Sequence, residues 1–205
     1  VQLAVVSFTF ALLLSIPIAF FGALRPQSIM GRLTSAQSIL SLSVPTFWIG
    51  ILLILFLGVQ WRVLPAVSDF VPFWQDPVAA LRNLILPGLT LGIFISGILG
   101  RFLRQSLSET LRRDYVRTAR AKGLVEWLVV ARHALRNALL PFVTVLGLQL
   151  GTFIGGTVVT ESVFNYPGLG RMLLQAIEQR DYALIQGATL MIIVGVTLVN
   201  LVVDV

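Results

Sequence analysis

The chain contains no cysteine and few charged residues, and these two shortages exclude several classes of protein. Without cysteine among its 205 residues it can form no disulfide framework, no thiol nucleophile and no cysteine-ligated metal site. Only 12% of the residues are charged, about half the share of an ordinary soluble domain, whereas 57% are hydrophobic. The composition therefore predicts an integral membrane protein without a separate soluble domain.

Histidine and nucleotide-binding motifs are equally scarce. His133 is the single histidine, and no pair of carboxylates lies near it in the sequence, so it is a poor metal ligand or catalytic base. We predict no catalytic residue and no metal site. The phosphate-binding pattern G-x-x-x-x-G-K-[ST] is absent, which excludes the chain as an ATPase. An intramembrane enzyme is also disfavoured, because the charged residues gather between the apolar runs rather than inside them.

Long apolar runs are what the chain has in abundance. A bilayer takes about 20 helical residues to cross, and five runs predict spans at about Leu3–Leu24, Ile39–Val59, Leu84–Leu103, Leu139–Thr160 and Ala183–Val203. We therefore predict an all-α, polytopic membrane helix bundle that forms a single domain over residues 1–205. Because the chain begins at Val1 within an apolar run and ends at the edge of another, we expect it to be a fragment, with a further span upstream and a C-terminal tail.

Positive charge is distributed unevenly among the four connections. The connections at 25–38 and 101–137 hold 11 of the 15 lysines and arginines, and those at 60–83 and 161–182 hold four. Cytoplasmic connections of membrane proteins carry the excess of positive charge. The first and third connections are thus predicted to lie inside the cell. This placement also makes the net charge of +6 a sign of membrane topology rather than of nucleic-acid binding.

The segment 101–141 contains two predicted helices. Asp114 is suited to cap the start of the first, which runs to Lys122, and Gly123 fits the position after its end, where a positive φ is common. The second has one apolar face, with Trp127, Val130, Ala134 and Ala138 at helical spacing, and leads through Pro141 into the fourth span. A basic cytoplasmic segment with helical content, and no further role, is the simpler interpretation of the charge.

The amino-acid sequence of this segment resembles that of a known protein family. TARAKGL followed by RHALRNALLP is similar to the coupling segment, or EAA loop, of ABC importer permeases of type I, in the dipeptide/oligopeptide/nickel branch. Thr118-Ala119-Arg120 stands where many members have Glu-Ala-Ala, a departure that matches this branch. The resemblance implies that a short helix sits in a groove of an ATPase subunit. The residues implied in the coupling helix are Asp114, Tyr115, Arg117, Thr118, Ala119, Arg120, Ala121, Lys122 and Gly123.

Roles follow from the same resemblance. Ala119, Ala121 and Gly123 would permit close approach to the partner, while Arg117, Arg120 and Lys122 would meet its polar groups. Support for this coupling segment is expected from His133, Arg136, Asn137 and Pro141.

A second motif follows the fourth predicted span. Residues 161–170 read ESVFNYPGLG and resemble the family pattern E-x-x-F-x-x-P-G-L-G, and Arg180-Asp181-Tyr182 closes the external segment at 161–182. Pro167-Gly168 predicts a turn. A structural cap is the favoured interpretation over substrate contact. The residues expected to take part in a gate or cap are Glu161, Pro167, Gly168, Gly170, Arg180 and Asp181, with Glu161 reaching water or pairing with Arg171 or Arg180.

The resemblance also implies partners and a function. The chain would be one permease subunit of an ATP-driven importer for short peptides, in the inner membrane of a bacterium or archaeon. It would pair with a second permease subunit as a heterodimer, with two cytoplasmic ATPase subunits that hold ATP and Mg²⁺, and with an extracytoplasmic substrate-binding protein. No cofactor is expected on this chain. The alternatives are nickel or glutathione as cargo, or an ATP-independent channel or secondary transporter.

Overall fold

The computed structural model describes residues 1–24, 27–67 and 69–204, and over this part of the chain the regular structure is helical. The elements, in chain order, are α1 (Gln2–Leu24), α2 (Ile29–Ser43), α3 (Thr46–Leu53) with a π-helical continuation (Ile54–Gln60), α4 (Pro77–Thr110), α5 (Asp114–Ala121), α6 (Glu126–Leu128) with a π-helical continuation (Val129–Ala134), α7 (Leu135–Gly156), α8 (Val158–Val163), α9 (Leu169–Gln179) and α10 (Tyr182–Asp204). The predicted all-α membrane helix bundle is confirmed. Arg25, which the charge count assigns to the first inner connection, lies outside the described residues.

Two of the five predicted spans are found with nearly the predicted bounds. They are α1 and α10, the first and last. Together with α4 and the helix from Glu126 to Phe153, they make four described helices that are long and apolar enough to cross a membrane. A fifth is obtained if the bent pair α2 and α3 counts as one span.

The second predicted span, Ile39–Val59, is wrong as a continuous helix. The chain bends by 106° between the helix that ends near Ser41 and the one that begins at Thr46. Pro45 explains the break: it has no N–H to donate, and it restricts the residue before it to extended backbone. Val44 accordingly has φ −95° and ψ 126°.

The third predicted span, Leu84–Leu103, is shorter than the helix that the structure shows. Helix α4 starts at Pro77 rather than near Leu84, because Asp76 caps it by accepting from the N–H groups of Val78 and Ala79, both at 3.0 Å. Pro87 lies inside this helix. The helix also continues to Thr110, so the first ten residues of the basic segment belong to this helix and not to a loop.

The fourth predicted span, Leu139–Thr160, also begins earlier than predicted, and it ends earlier as well. Its helix is continuous with α6 and begins at Glu126, and α7 ends at Gly156. The second helix of the basic segment and the fourth span are therefore one rod, as predicted. Thr157 breaks it, and α8 follows as a separate short helix.

Helix α4 is the centre of the bundle. Its buried Ile95, Leu99, Leu103 and Leu107 form one core with residues of α1 and α7. Small residues bring the backbones together: a Cβ built on Gly92 would lie 2.6 Å from Cβ of Phe10 in α1. Apolar helices in lipid associate through such close packing. In contrast, α10 has few buried residues and packs mainly along α7 and α9.

Candidate functional site

Helix α5 is joined to the end of α4 by a tight turn. It begins one residue after Arg113, which has extended backbone with φ −70° and ψ 149°. The sequence interpretation makes Asp114 the cap, and this is wrong: Asp114 is the first helical residue, and no side chain caps this end. Its carboxylate lies 3.8 Å from the guanidinium of Arg117 instead. An acidic residue in the first turn still interacts favourably with the helix dipole.

One face of α5 is buried against its own chain. Val116 is 0% exposed and Ala119 is 6% exposed, and both pack with Val129 and Leu111. Ala119 therefore does not lie on the free surface, contrary to the expectation that it faces a partner. The opposite face is open to solvent and carries Asp114, Tyr115, Arg117, Thr118, Ala121 and Lys122.

Gly123 ends α5 in the left-handed conformation that its position in the sequence predicts. Its φ is +78°, and no atom lies within 4 Å of a Cβ built on it. The N–H of Gly123 donates to the carbonyl of Arg120 at 2.9 Å, and the N–H of Leu124 donates to that of Ala119 at 3.4 Å. Backbone conformation, and not lack of space, is thus the reason for glycine at this site.

Arg120 bridges the two ends of the turn around Gly123. Its Nη2 and Nε donate to the two carboxylate oxygens of Glu126 at 2.6 and 3.0 Å, and Nη1 donates to the carbonyl of Leu111 at 3.4 Å. This side-chain hydrogen bonding lowers the pKa of Glu126 and raises that of Arg120. Arg120 was expected to meet a partner's polar groups, but its guanidinium is already engaged within its own chain.

A hydrogen bond joins α5 to the fourth span. Nδ2 of Asn137 donates to the hydroxyl of Tyr115 at 2.9 Å and to the carbonyl of His133 at 3.2 Å. Of the predicted supporting residues, Asn137 therefore contacts α5 directly and His133 contributes its backbone oxygen. Arg136 and Pro141 lie on the exposed side of the same helix and touch α5 through no hydrogen bond or ion pair among the described residues.

The fourth span is tied to α4 at the same level. The hydroxyl of Ser106 donates to the carbonyl of Ala138 at 3.0 Å. Helix α5 thus sits against the ends of two spans that are themselves fastened together. A displacement of α5 would be passed to both.

The external segment is organised around Glu161. This side chain is only 6% exposed, and among the described residues it forms no ion pair with Arg171 or Arg180, contrary to the pairing that the sequence suggested. Oε1 accepts from the hydroxyl of Thr157 at 2.7 Å, and Oε2 accepts from the backbone N–H of Arg171 at 2.9 Å. The guanidinium of Arg171 donates instead to the carbonyl of Asn165 at 2.7 Å.

Gly168 and Gly170 lie directly over Glu161. A Cβ on Gly168 would fall 2.1 Å from Cδ of Glu161, and one on Gly170 would fall 2.6 Å from Cγ2 of Val158. Pro167 is the centre of a three-residue turn in which the N–H of Gly168 donates to the carbonyl of Tyr166 at 3.0 Å. The predicted turn is present, and both glycines are needed for space.

The segment ends at a second turn before α10. Arg180 has φ +56°, an uncommon conformation for a residue with a side chain, and it terminates α9. Asp181 then accepts from the N–H of Leu184 at 3.0 Å, which caps the first turn of α10. Arg180 and Asp181 thus have local roles in the backbone of this segment.

Two aromatic residues of the segment were missed as anchors. Phe164 is 0% exposed, and its ring would lie 3.0 Å from a Cβ on Gly50 of α3. Tyr166 packs with Leu3 and Leu84, and burial together with the neighbouring Glu161 raises its pKa. A signal for Phe164 was present in its fixed position in the pattern E-x-x-F-x-x-P-G-L-G, and Tyr166 lies two residues after it.

The chain is similar in sequence to a known protein family and to members of it. Residues 15–205 match the family model described as binding-protein-dependent transport system inner membrane component. The dipeptide transport system permease protein DppB of Escherichia coli (strain K12) is 38% identical over 225 residues, which cover 99% of this chain and 66% of the relative. The glutathione transport system permease protein GsiC of the same strain is 40% identical over 203 residues, covering 99% of this chain and 63% of the relative. The chain thus spans just under two thirds of the length of these curated relatives.

Proposed function

Because the chain belongs to the family of binding-protein-dependent transport system inner membrane components, we propose that it is a permease subunit of an ATP-driven importer. A second permease subunit would complete the path through the bacterial inner membrane. Two cytoplasmic ATPase subunits would supply the energy, and an extracytoplasmic binding protein would deliver the cargo. ATP and Mg²⁺ would be held by the ATPase subunits, since this chain has no phosphate-binding loop of its own.

The observation that carries the proposal is the two-sided environment of α5. Its inner face is packed on Val129, and its outer face presents Arg117, Thr118 and Ala121 to solvent. A short helix with a free polar face on the cytoplasmic side is suited to dock in a groove of a soluble partner. The same helix is joined to the fourth span through Tyr115 and Asn137.

The mechanism follows from these attachments. When ATP draws the two ATPase subunits together, the docked α5 would move with its ATPase. Arg120 links α5 to the end of α4 through Leu111, and Asn137 links it to α7. Movement of α5 would therefore tilt both spans together and switch the bundle between inward-facing and outward-facing states. Hydrolysis would release the ATPase subunits and reset the cycle.

Short peptides are the proposed cargo. The two relatives are named for the transport of dipeptides and of glutathione, itself a small peptide. The external segment would face the binding protein, with Glu161, Gly168 and Gly170 fixing its shape rather than touching cargo. Nickel transport is the alternative within the same class of importer.

A pair of alanine-to-tryptophan variants tests the coupling role. Ala121 lies on the free face of α5, and Ala183 is an exposed alanine at the opposite, external end of the protein. We expect the full-length transporter with Ala121→Trp to insert and assemble in proteoliposomes but to lose peptide uptake and binding-protein-stimulated ATP hydrolysis. Ala183→Trp should keep both, because tryptophan is well tolerated at a membrane boundary.

The outcomes separate the parts of the proposal. Equal activity of both variants would show that α5 is not the docking helix. Uptake that persists in the absence of ATP would overturn the importer itself.

A further inference from the structure

A polar cleft lies between α2 and α4, apart from α5 and from the external segment. Its volume is about 390 Å³. Two arginines, three serines and a glutamine make up its polar lining: Arg101, Arg104, Ser35, Ser38, Ser108 and Gln105. No carboxylate is among the residues that line it.

The position of the cleft along α4 places it at one surface of the membrane. Eighteen uncharged residues separate Arg82 from Arg101 within this helix. At 1.5 Å per residue the two arginines are about 28 Å apart along the axis, close to the ~30 Å of a hydrocarbon core. Arg82 then marks the outer boundary and Arg101 the inner boundary. This orientation is the one that the proposed function requires.

The two arginines of the cleft differ in how they are held. Nη1 of Arg104 donates to Oγ of Ser35 at 2.5 Å and to the carbonyl of Gly31 at 3.4 Å, so its guanidinium is fixed against α2. Arg101, one turn earlier, makes no hydrogen bond or ion pair with any described residue, and it is exposed. The nearest acidic residue in the sequence, Glu109, accepts a hydrogen bond from Gln105 at 3.0 Å. The cleft thus carries two guanidinium groups and no carboxylate in its wall, and the hydroxyl of Ser35 already donates to the carbonyl of Gly31 at 3.1 Å.

Exposed apolar side chains of α2 lie beside the polar lining of the cleft. Ile39 lines the cleft and is 63% exposed, and the adjacent Leu40 is 60% exposed. Polar donors with exposed apolar groups beside them match a molecule that has an anionic head and a hydrocarbon tail. A free phosphate ion would leave the apolar groups without a contact.

We propose that this cleft binds the phosphate group of an anionic phospholipid from the cytoplasmic leaflet. The guanidinium of Arg101 donates to the phosphate oxygens, Arg104 and Ser108 complete the polar contacts, and the acyl chain lies against Ile39. Guanidinium groups pair with phosphate through two parallel hydrogen bonds, which makes them suited to this contact. The bound lipid fastens α2 to α4 at the inner boundary.

Lipid titration followed by native mass spectrometry tests the proposal on the full-length protein. Phosphatidylglycerol is the probe, and phosphatidylcholine and inorganic phosphate are the comparison ligands. Arg101→Gln should weaken phosphatidylglycerol binding about tenfold, because it removes a hydrogen bond to a charged group that contributes about this much to affinity. The matched control is Arg112→Gln, which removes the same charge from an exposed arginine in the turn after α4 and should change binding by less than about twofold.

Other outcomes have definite meanings. Equal losses for Arg101→Gln and Arg112→Gln, or equal binding of both lipids, would overturn the proposal in favour of general surface attraction. Tight binding of inorganic phosphate alone would overturn the lipid as the source of the phosphate. If Arg101→Gln does not fold, Arg101→Lys replaces it: an intermediate loss supports the paired contact, and no loss overturns it. Since lipid binding requires neither ATP nor peptide, a failure here is distinct from a failure of the transport function.

Discussion

Oε2 of Glu161 accepts the backbone N–H of Arg171 at 2.9 Å, so a buried acidic side chain from one helix caps the start of another. Gly168, at the capping position of α9, has no side chain to do this. The unpaired N–H groups of a first helical turn need an acceptor, and the positive end of the helix favours an acidic one. The link fixes α9 to α8 and thereby sets the shape of the whole external segment.

Removal of this cap should loosen the external segment. Glu161→Ala leaves the N–H of Arg171 and the hydroxyl of Thr157 without their acceptor, and should lower the free energy of unfolding by about 1–3 kcal/mol. Glu161→Gln keeps one carbonyl acceptor and should cost less. Thermal unfolding and limited proteolysis of the purified full-length protein measure both effects. Identical melting and cleavage for Glu161→Ala and wild type would show that the cap is unimportant.

A methyl group at Gly168 should disturb the hydrogen bond between Glu161 and the N–H of Arg171. The Cβ of Gly168→Ala would fall 2.1 Å from Cδ of Glu161, so the side chain or the turn has to shift, at a cost of about 1–3 kcal/mol. Gly187→Ala is the control, since no atom lies within 4 Å of a Cβ at that helical position. The comparison of the two melting temperatures checks the prediction. It is contradicted if both alanine variants melt alike.

Phe164 should contribute more to stability than any exposed phenylalanine. Its ring is 0% exposed and lies against Gly50 of α3, so Phe164→Ala should cost about 3–5 kcal/mol. Phe102, which is 48% exposed on α4, supplies a matched control in which the same truncation should cost little. Chemical denaturation in detergent distinguishes the two. Equal losses would mean that Phe164 does not anchor the segment.

The bond between Tyr115 and Asn137 should matter for energy transfer more than for folding. Both residues are exposed, so Tyr115→Phe and Asn137→Ala should each lower stability by no more than about 1 kcal/mol. We expect fewer peptides transported per ATP hydrolysed, because α5 would be joined less rigidly to α7. A double-mutant cycle on that ratio gives the coupling. Fully additive effects would argue against a direct contribution of this bond.

The pair Arg120–Glu126 predicts that the turn around Gly123 is sensitive to acid. The pKa of Glu126 is lower in the folded protein than in the unfolded chain, because Arg120 donates hydrogen bonds to its carboxylate. The stabilisation is therefore fully present above the unfolded pKa and is lost as the pH falls through the folded value. Side-chain exposures of 40% and 54% keep the effect small and sensitive to salt.

Protease resistance of the turn around Gly123 should report this pair. The rate of cleavage in wild type should rise as the pH falls to the acid side of the glutamate range. In Glu126→Gln it should already be high at neutral pH and should change less. The same pH profile in both proteins would remove the pair as the cause.

Several features of the site could be predicted from sequence because they depend on local chemistry. Gly123 marks the end of α5 because few other residues accept a positive φ, and Pro167-Gly168 marks a turn because the proline ring fixes its own φ. Asp114 shows the limit of such reasoning. Whether a polar residue stands at the cap or one position later depends on how the turn before it is packed, and Leu111 packs against Val116 and Ala119.

By itself, the sequence determined that this protein is a bundle of membrane-spanning helices, which side of it carries the positive charge, and which segment resembles a coupling helix. These properties follow from composition and from the order of apolar and charged residues, because lipid admits only helices of a minimum length and charge avoids its interior. Only the tertiary structure decided that Ala119 is buried, that Arg120 is occupied by Glu126, and that Glu161 caps a helix that begins eight residues further on. Each of these depends on a contact between segments whose mutual position is set by packing around α4, and packing joins residues irrespective of their order in the chain.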